Sequence, residues 1–129
     1  MKYLFGILSI LLSLSSCTSG SSGAIDINAD QVESMLQSDR SIQLVDLRTP
    51  LELQTTGFID GAQNINFNGP DFSAQISKLD KNKPLMVYCA AGGRSGRAAP
   101  QLVKMGFAKV YNYTGGMNDW KSKGKKTVQ

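Results

Sequence analysis

Residues 88–99, Tyr-Cys-Ala-Ala-Gly-Gly-Arg-Ser-Gly-Arg-Ala-Ala, constrain the fold of this chain more than any other stretch. Residues 84–88 are apolar, with β-branched and aromatic side chains, and predict a buried strand. Residues 97–105 carry apolar side chains at helical spacing and end at Gly106, a residue type typical of the position after a helix. The sequence therefore predicts that Cys89 ends a strand and begins a tight, glycine-containing loop that opens a helix.

This arrangement favours an anion at the loop. Backbone N–H groups of such a loop and of the first helical turn point inward, and the helix dipole adds partial positive charge. Arg94 and Arg97 add fixed positive charge. Positive φ angles and close approach of a ligand are predicted at Gly92, Gly93 and Gly96. We therefore expect a lowered pKa and a thiolate at Cys89, whereas the simpler interpretation is a buried cysteine that only packs at the strand end.

The loop resembles the active-site loop of the rhodanese (sulfurtransferase) family, which runs Cys-x-x-Gly-x-Arg-Ser. Cys89, Gly92, Arg94 and Ser95 match that pattern in register. The resemblance implies that Cys89 is the catalytic nucleophile, that backbone N–H groups form a substrate cradle, and that Arg94 is its main electrostatic helper. The predicted cradle comprises Ala90, Ala91, Gly92, Gly93, Arg94 and Ser95.

Three further stretches resemble the same family, and together they cover nearly all of the chain after residue 22. Residues 46–52 follow Asp-x-Arg-x-Pro-x-Glu, and residues 114–120 resemble the closing Gly-Gly-x-x-x-Trp element. Residues 57–65 match Gly-His-Ile-Pro-Gly-Ala-x-Asn-Ile, except that Phe58 replaces the histidine and Asp60 replaces the proline. The two replacements affect the packing of this loop.

The matched residues outside the cysteine loop have implied structural roles. Asp46 and Arg48 resemble a structural ion pair placed near the loop, and Glu52 opens a short helix. Trp120 is expected to pack in the core. The glycine pair at 115–116 is expected to permit close backbone approach to the cysteine loop.

Strand-like and helix-like segments alternate along the chain. Strands are predicted at residues 24–27, 42–47, 64–67, 84–88 and 110–113. Helices are predicted at residues 29–38, from Glu52, at residues 71–79 and at residues 97–105, and Asn28 with Gln31 forms a capping-box pattern at the first. The alternation predicts an α/β domain with a mainly parallel sheet. The rhodanese resemblance implies five strands in that sheet, flanked by helices.

The N-terminal residues differ in character from the rest. Residues 1–16 join a short positive start to an apolar segment and end before Cys17 in a sequence that resembles the lipobox of bacterial lipoproteins. The alternative, a transmembrane anchor, needs a longer apolar segment. We expect a signal peptide at residues 1–16, a lipidated Cys17 with a flexible tether at residues 17–23, a rhodanese domain at residues 24–124 and a basic tail at residues 125–129.

The lipobox resemblance also implies a location. A lipid-anchored protein of the bacterial cell envelope is expected, facing the periplasm and attached to the membrane through its lipid. Thr18, and not Asp, follows the lipidated cysteine, which favours the outer membrane in a Gram-negative cell.

The chain contains no histidine and only two cysteines. The absence of histidine excludes a nucleophile activated by that residue and removes the commonest transition-metal ligand. Two distant cysteines do not form a zinc site, and no nucleotide-binding loop occurs, so no metal and no cofactor are predicted. If Cys17 carries lipid, Cys89 is the only thiol left, which favours a reactive role for it.

The formal net charge of +4 comes from the ends of the chain. Without Lys2 and the four C-terminal lysines, nine basic residues remain against ten acidic ones. Those four are Lys121, Lys123, Lys125 and Lys126. We therefore predict no nucleic-acid partner and expect the lysines to form a solvated terminus.

Sulfur transfer suits these residues. A thiolate attacks the outer sulfur of thiosulfate, or of a similar small anionic donor, and becomes a Cys89 persulfide; cyanide, a thiol or an acceptor protein then removes that sulfur, and neither step needs a base. Cysteine phosphatases are one alternative, but their loop runs Cys-x5-Arg. Only four residues separate Cys89 from Arg94, so the ring of backbone N–H groups is narrower, which favours a single sulfur atom over a tetrahedral phosphate. A second alternative is a membrane-tethered persulfide carrier or redox-partner module, which the small, neutral Ala90 and Ala91 favour.

Overall fold

A five-stranded sheet forms the centre of the structure, a computed structural model that describes residues 23–129. The strands are β1 (Ile25–Ile27), β2 (Gln43–Asp46), β3 (Gln63–Asn64), β4 (Leu85–Tyr88) and β5 (Val110–Tyr113). All paired strands are parallel, and their order across the sheet is β1-β5-β4-β2-β3. The predicted α/β fold with a five-stranded parallel sheet is confirmed. The predicted signal peptide, Cys17 and the tether up to residue 22 lie outside the described residues.

Helices cover both faces of this sheet. They are α1 (Ala29–Ser38), α2 (Pro50–Thr56), α3 (Phe72–Ile76), α4 (Gly93–Lys104) and α5 (Gly116–Ser122). Successive strand residues point to opposite faces, so the sheet divides the core into two layers. Val87 packs in one layer with Leu102 of α4, and Met86 packs in the other with Val32 of α1 and Trp120 of α5. Among the described helices, none is long and apolar enough to cross a membrane.

Strand β4 lies in the middle of the sheet, between β2 and β5. All four of its residues are buried, as expected of a parallel strand covered on both faces. Ligands of open parallel sheets bind beside the carboxyl ends of the strands. Cys89 follows β4 directly and therefore lies at the centre of that edge.

The cap of α1 and the end of α4 are two local features that the sequence predicts. At the start of α1, the Gln31 N–H donates to the Asn28 side chain and the Asn28 N–H donates to the Gln31 side chain, each at 2.9 Å. Gly106 follows α4 with a φ of +99°, the left-handed conformation that ends many helices. The predicted capping box and the predicted helix end are therefore both confirmed.

Two predicted elements are longer in the sequence pattern than in the structure. β3 is confined to Gln63–Asn64, although the chain beyond it still bonds to the end of β2 through the N–H groups of Ile65 and Phe67. α3 ends at Ile76, and the N–H groups of Lys78 and Leu79 beyond it bond in tighter turns to the carbonyls three residues back. Apolar spacing continues through such turns, so the sequence pattern alone overestimates their helical length.

The C-terminal residues pack against the domain, so the prediction of a solvated terminus is wrong for part of it. The Lys125 side chain is only 13% exposed, and its Nζ lies 2.9 Å from Asp30 and 3.3 Å from Glu33 of α1. Phe58 and Val128 exchange two backbone hydrogen bonds of 2.9 Å. Phe58, which stands where the rhodanese pattern has histidine, is thus held through its backbone. The segment at 125–129 is therefore part of the folded domain.

Candidate active site

Cys89 follows β4 directly, and the chain turns through residues 90–92 into α4. The turn is made at Gly92, where φ is +93° and a Cβ atom would overlap the Thr114 carbonyl. Helix α4 begins at Gly93, four residues before the predicted start. The prediction is late because the first turn carries no apolar side chains from which the helical spacing could be recognised. Gly93 and Gly96 do not have positive φ, so that part of the glycine prediction is wrong.

The sulfur of Cys89 lies inside this turn, facing hydrogen-bond donors. The Gly92 N–H donates to Sγ at 3.2 Å and the Ser95 N–H at 3.5 Å, and the Ser95 hydroxyl oxygen lies 3.6 Å from Sγ. Burial acts to raise the pKa of the Cys89 thiol, but hydrogen bonds from Ser95, Ala91 and Gly92 outweigh it. The pKa of Cys89 is consequently lowered, which favours a thiolate.

The N-terminus of α5 holds the other side of the cysteine loop. The Met117 N–H donates to the Cys89 carbonyl at 2.8 Å, and the Asn118 N–H donates to the Ala90 carbonyl at 3.0 Å. Gly116 has a φ of +66°, and a Cβ atom there would lie 2.5 Å from the Cys89 carbonyl oxygen. The predicted close approach of the glycine pair is confirmed at Gly116. Because α5 binds the carbonyls of the loop, they are directed away from the sulfur.

Arg94 forms a two-pronged ion pair with Glu52 of α2. Its Nη1 and Nη2 each lie 2.8 Å from a Glu52 carboxylate oxygen. The hydrogen bonds that Arg94 donates to Glu52 raise the pKa of Arg94 against burial, and the negative charges of Glu52 and Cys89 act in the same direction. Sequence reasoning identified Arg94 as a cation of the site but did not find its partner.

Arg97 is the second cation predicted beside Cys89. Its guanidinium carbon lies 5.7 Å from the centre of the Phe67 ring, which is a cation–π contact. Phe67 follows β3 and packs edge-on against Phe72 of α3. Arg97 therefore contacts Phe67, whereas Arg94 contacts Glu52 of α2.

Asp46 and Arg48 form the predicted structural ion pair. The Arg48 Nη2 lies 2.7 Å from Asp46, and both side chains are almost fully buried. Arg48 also donates to the Thr56 hydroxyl at 2.6 Å and to the Gly57 carbonyl at 2.8 Å, so the end of β2 is tied to the end of α2. A buried pair with all these hydrogen bonds fixes geometry and is not free to react.

The contributions that the sequence analysis missed all depend on contacts between distant segments. Glu52 was expected only to open a helix, yet it also accepts from Arg94, 42 residues away. The capping-box spacing from Thr49 to Glu52 was a local signal for the helix but not for this second partner. The hydrogen bonds from the Met117 and Asn118 N–H groups to the cysteine loop have no sequence signal of their own, and only the preceding glycine pair indicates a close approach.

The arrangement presents a nucleophilic sulfur whose negative charge is stabilised without a base. Backbone N–H donors aimed at a fixed point need no reorganisation when charge develops there. Within residues 23–129, no three acidic or cysteine side chains lie close enough together to hold a metal ion. The chemistry that these residues support is attack by the Cys89 thiolate on an electrophilic atom, with a product anion held by the same donors.

Comparison with known proteins agrees with this geometry. The Rhodanese-like domain family matches residues 28–123. The uncharacterized protein YqhL of Bacillus subtilis is 39% identical over 84 residues, which are 65% of this chain and 64% of that protein. The thiosulfate sulfurtransferase GlpE of Shewanella oneidensis is 34% identical over 94 residues, which are 73% of this chain and 89% of that protein.

Solved structures show the same fold. A rhodanese-related protein from Thermoplasma volcanium superimposes with a TM-score of 0.71 at 27% identity, covering 81% of this chain and 97% of that one. The polysulfide-sulfur transferase of Wolinella succinogenes gives a TM-score of 0.70 at 27% identity, covering 81% of this chain and 78% of that one. By its sequence, its sheet and its cysteine loop, the chain belongs to the rhodanese-like domain family.

Proposed function

We propose that this protein is a sulfurtransferase that moves sulfane sulfur from thiosulfate, or a similar donor, to a thiophilic acceptor through a persulfide on Cys89. The proposal rests on the surroundings of the Cys89 sulfur, which is buried and accepts hydrogen bonds from the N–H groups of Gly92 and Ser95. Both the thiolate and the terminal sulfur of a persulfide are anions that such donors stabilise.

The reaction balances with these residues alone. The Cys89 thiolate attacks the outer sulfur of thiosulfate and forms a new S–S bond, while the old S–S bond breaks and sulfite leaves with its electron pair. Cyanide or a thiolate then attacks the terminal sulfur of the persulfide, and the Cys89 thiolate is regenerated. No proton has to be removed by a protein base in either step, which agrees with a chain that lacks histidine.

The names of the relatives support sulfur chemistry of this kind. Besides the thiosulfate sulfurtransferase of Shewanella oneidensis, a sulfurtransferase of Allochromatium vinosum is 28% identical over 95 residues. A putative sulfur carrier protein of Bacillus subtilis, YrkF, is 30% identical over 98 residues, which are 51% of its length. These names include both sulfurtransferases and a putative sulfur carrier.

A persulfide carrier with little turnover of small molecules is the second candidate function. Ala90 and Ala91 place no cation on the loop, and Arg94 is neutralised by Glu52. Thiosulfate is a dianion, so a loop with this charge balance binds it less strongly than a loop with free cations. A carrier loads slowly from thiosulfate and delivers its sulfur to a specific acceptor protein.

Steady-state formation of thiocyanate from thiosulfate and cyanide tests the enzyme proposal. The wild-type protein is expected to turn over, and Cys89→Ser is expected to be inactive with its fold retained. Turnover that survives in Cys89→Ser would rule out the persulfide route. Slow turnover together with rapid transfer of the Cys89 sulfur to a partner protein would favour the carrier, and hydrolysis of p-nitrophenyl phosphate would favour a phosphatase.

We also propose that Cys17 anchors the protein in the cell envelope, facing the periplasm. The support is the lipobox-like sequence before Cys17 and the small, polar residues that follow it. Partition of the expressed protein into a detergent phase tests this proposal. Wild-type protein is expected in the detergent phase and Cys17→Ala in the aqueous phase, whereas equal partition of the two would contradict lipidation.

A further inference from the structure

The charge of Arg94 is balanced within the site. Both ends of its guanidinium are bonded to Glu52 at 2.8 Å, and the two side chains are 19% and 34% exposed. Glu52 is itself fixed, because its carboxylate accepts from the Thr49 N–H at 2.9 Å in the capping box of α2. A pair that is held at both ends and partly shielded from water keeps its geometry better than an exposed surface pair.

The other cations near the loop do not replace the charge that Glu52 cancels. Arg48 is buried and paired with Asp46. Arg97 lies over the Phe67 ring and makes no hydrogen bond to the cysteine loop in the described structure. At the sulfur itself, an anionic donor is therefore held mainly by backbone N–H groups, while the charge of Arg97 acts from an exposed position that water screens.

We propose that Glu52 is a specificity-determining residue of this site. By neutralising Arg94, it directs the reaction toward sulfur donors of low charge, such as the persulfide of a thiol, and away from the thiosulfate dianion. This inference rests on the proposed sulfurtransferase function and narrows its donor. Its physical basis is that the Coulomb energy of a ligand scales with the ligand charge, so a lost positive charge weakens a dianion about twice as much as a monoanion.

The preferred donor reaction also balances. The Cys89 thiolate attacks the outer sulfur of R–S–SH, forming a bond to that sulfur, and the S–S bond of the donor breaks. The donor thiolate RS⁻ leaves with the electron pair, and the transferred sulfur keeps its proton until it equilibrates with water. A thiolate leaving group carries one charge, whereas the sulfite that leaves thiosulfate carries two.

Four proteins test the role of Glu52: wild type, Glu52→Gln, Arg94→Gln and the double variant. Gln is a matched replacement at position 52, because it has nearly the same shape, its amide oxygen can still accept the hydrogen bond of the capping box, and it carries no charge. The rate of Cys89 loading by thiosulfate is expected to rise roughly tenfold in Glu52→Gln and to fall in Arg94→Gln, which leaves Glu52 uncompensated. The double variant is expected to return near the wild-type rate.

Two alkylating reagents test the effect of ligand charge at Cys89 without any transfer of sulfur. Iodoacetate and iodoacetamide alkylate a thiolate by the same displacement but differ by one negative charge. The ratio of their rate constants at Cys89 is expected to rise in Glu52→Gln, fall in Arg94→Gln and recover in the double variant. A ratio that is the same in all four proteins would overturn the proposal, whatever the state of the sulfur reactions.

Donor preference is the last part of the test. Loading of wild-type Cys89 by cysteine persulfide is expected to be at least tenfold more efficient than loading by thiosulfate, and Glu52→Gln is expected to reduce that preference. Equal preference in the two proteins would overturn the role of Glu52. If neither donor loads Cys89 while the alkylation ratios change as expected, the proposed sulfurtransferase function fails, and the charge balance at the loop is still supported.

Discussion

Two opposing effects act on the sulfur of Cys89. Burial disfavours the thiolate, while hydrogen bonds from the Ser95 N–H and hydroxyl and from other loop donors favour it, and the net effect is a lowered pKa. The Ser95 hydroxyl is the only one of these donors that belongs to a side chain. Its contribution can therefore be removed without changing the backbone of the loop.

Replacement of Ser95 by alanine is expected to raise the pKa of Cys89, because the side-chain hydrogen bond of Ser95 is one of the interactions that lower it. The measurement is the rate of alkylation by iodoacetamide as a function of pH, because the rate falls as pH falls through the pKa of the thiol. Ser34→Ala, on the exposed face of α1, is the matched control and should leave the profile unchanged. Identical midpoints for wild type and Ser95→Ala would show that the hydroxyl does not act on the sulfur.

At the scale of the elements, an ion pair joins α2 to α4. The hydrogen bond from Arg94 lowers the pKa of Glu52 from 4.5 to about 2, against burial and with help from Thr49. A carboxyl group with a lower pKa in the folded state stabilises the fold above its unfolded pKa and loses that effect as pH falls toward the folded value. The Glu52–Arg94 pair therefore adds stability at neutral pH that is lost between pH 4.5 and about 2.

Glu52→Gln is expected to flatten this part of the stability profile. The wild-type protein should lose about 1 kcal/mol more than the variant between neutral pH and the acid end of the window, a value reduced to allow for partial exposure of the pair. Urea unfolding at a series of pH values measures the difference. Asp71→Asn controls for loss of one carboxylate, since the Asp71 side chain caps nothing. Parallel profiles for wild type and Glu52→Gln would contradict the assignment.

The contact between α5 and the cysteine loop depends on a glycine at 116. Gly116→Ala is expected to cost about 2–3 kcal/mol, because positive φ is unfavourable for alanine and its Cβ would displace the Cys89 carbonyl. Gly61→Ala is the matched control, since Gly61 has a φ of +84° but open space around its Cβ position.

Thermal unfolding and alkylation of Cys89 together check this prediction. Both variants are expected to lose stability through the backbone conformation, and Gly116→Ala is expected to lose more. Only Gly116→Ala should also alter the reactivity of Cys89, because only it moves the loop. Normal Cys89 reactivity in a folded Gly116→Ala protein would show that α5 does not position the sulfur.

At the scale of the whole molecule, the C-terminal segment packs against parts of the chain that are distant in sequence, among them α1 and Phe58. Residues 125–129 supply hydrogen bonds from Phe58 to Val128, from Val128 to Phe58 and from the Trp120 indole to the Lys126 carbonyl, each of 2.9 Å. Lys125 adds contacts with α1 and with the face of Trp120. A deletion here therefore removes contacts with α1, with Phe58 and with Trp120.

Deletion of residues 125–129 is expected to lower the free energy of unfolding by about 2–3 kcal/mol, from the lost hydrogen bonds alone. Chemical denaturation measures this loss, and deletion of the exposed Gln129 alone is the control. The alkylation rate of Cys89 is expected to stay near the wild-type value under native conditions. A deletion variant as stable as the control would restore the view of this segment as a solvated tail.

The features that the sequence predicts well are those set by neighbours in the chain. The strand before Cys89, the capping box at Asn28 and the helix end at Gly106 each depend on a few consecutive residues. The pairing of Glu52 with Arg94 joins residues 42 positions apart and depends on how α2 packs beside α4. Lys125 looked like one of several solvated lysines because composition does not reveal which of them lies beside Asp30.

Intact mass of the full-length protein in detergent tests the central claim most directly. After incubation with thiosulfate or cysteine persulfide, the mass is expected to rise by one sulfur atom, located on the peptide that contains Cys89. Addition of cyanide is expected to restore the original mass and to release thiocyanate. A reduced, alkylatable Cys89 that gains no sulfur from either donor would contradict the claim that this loop forms a persulfide.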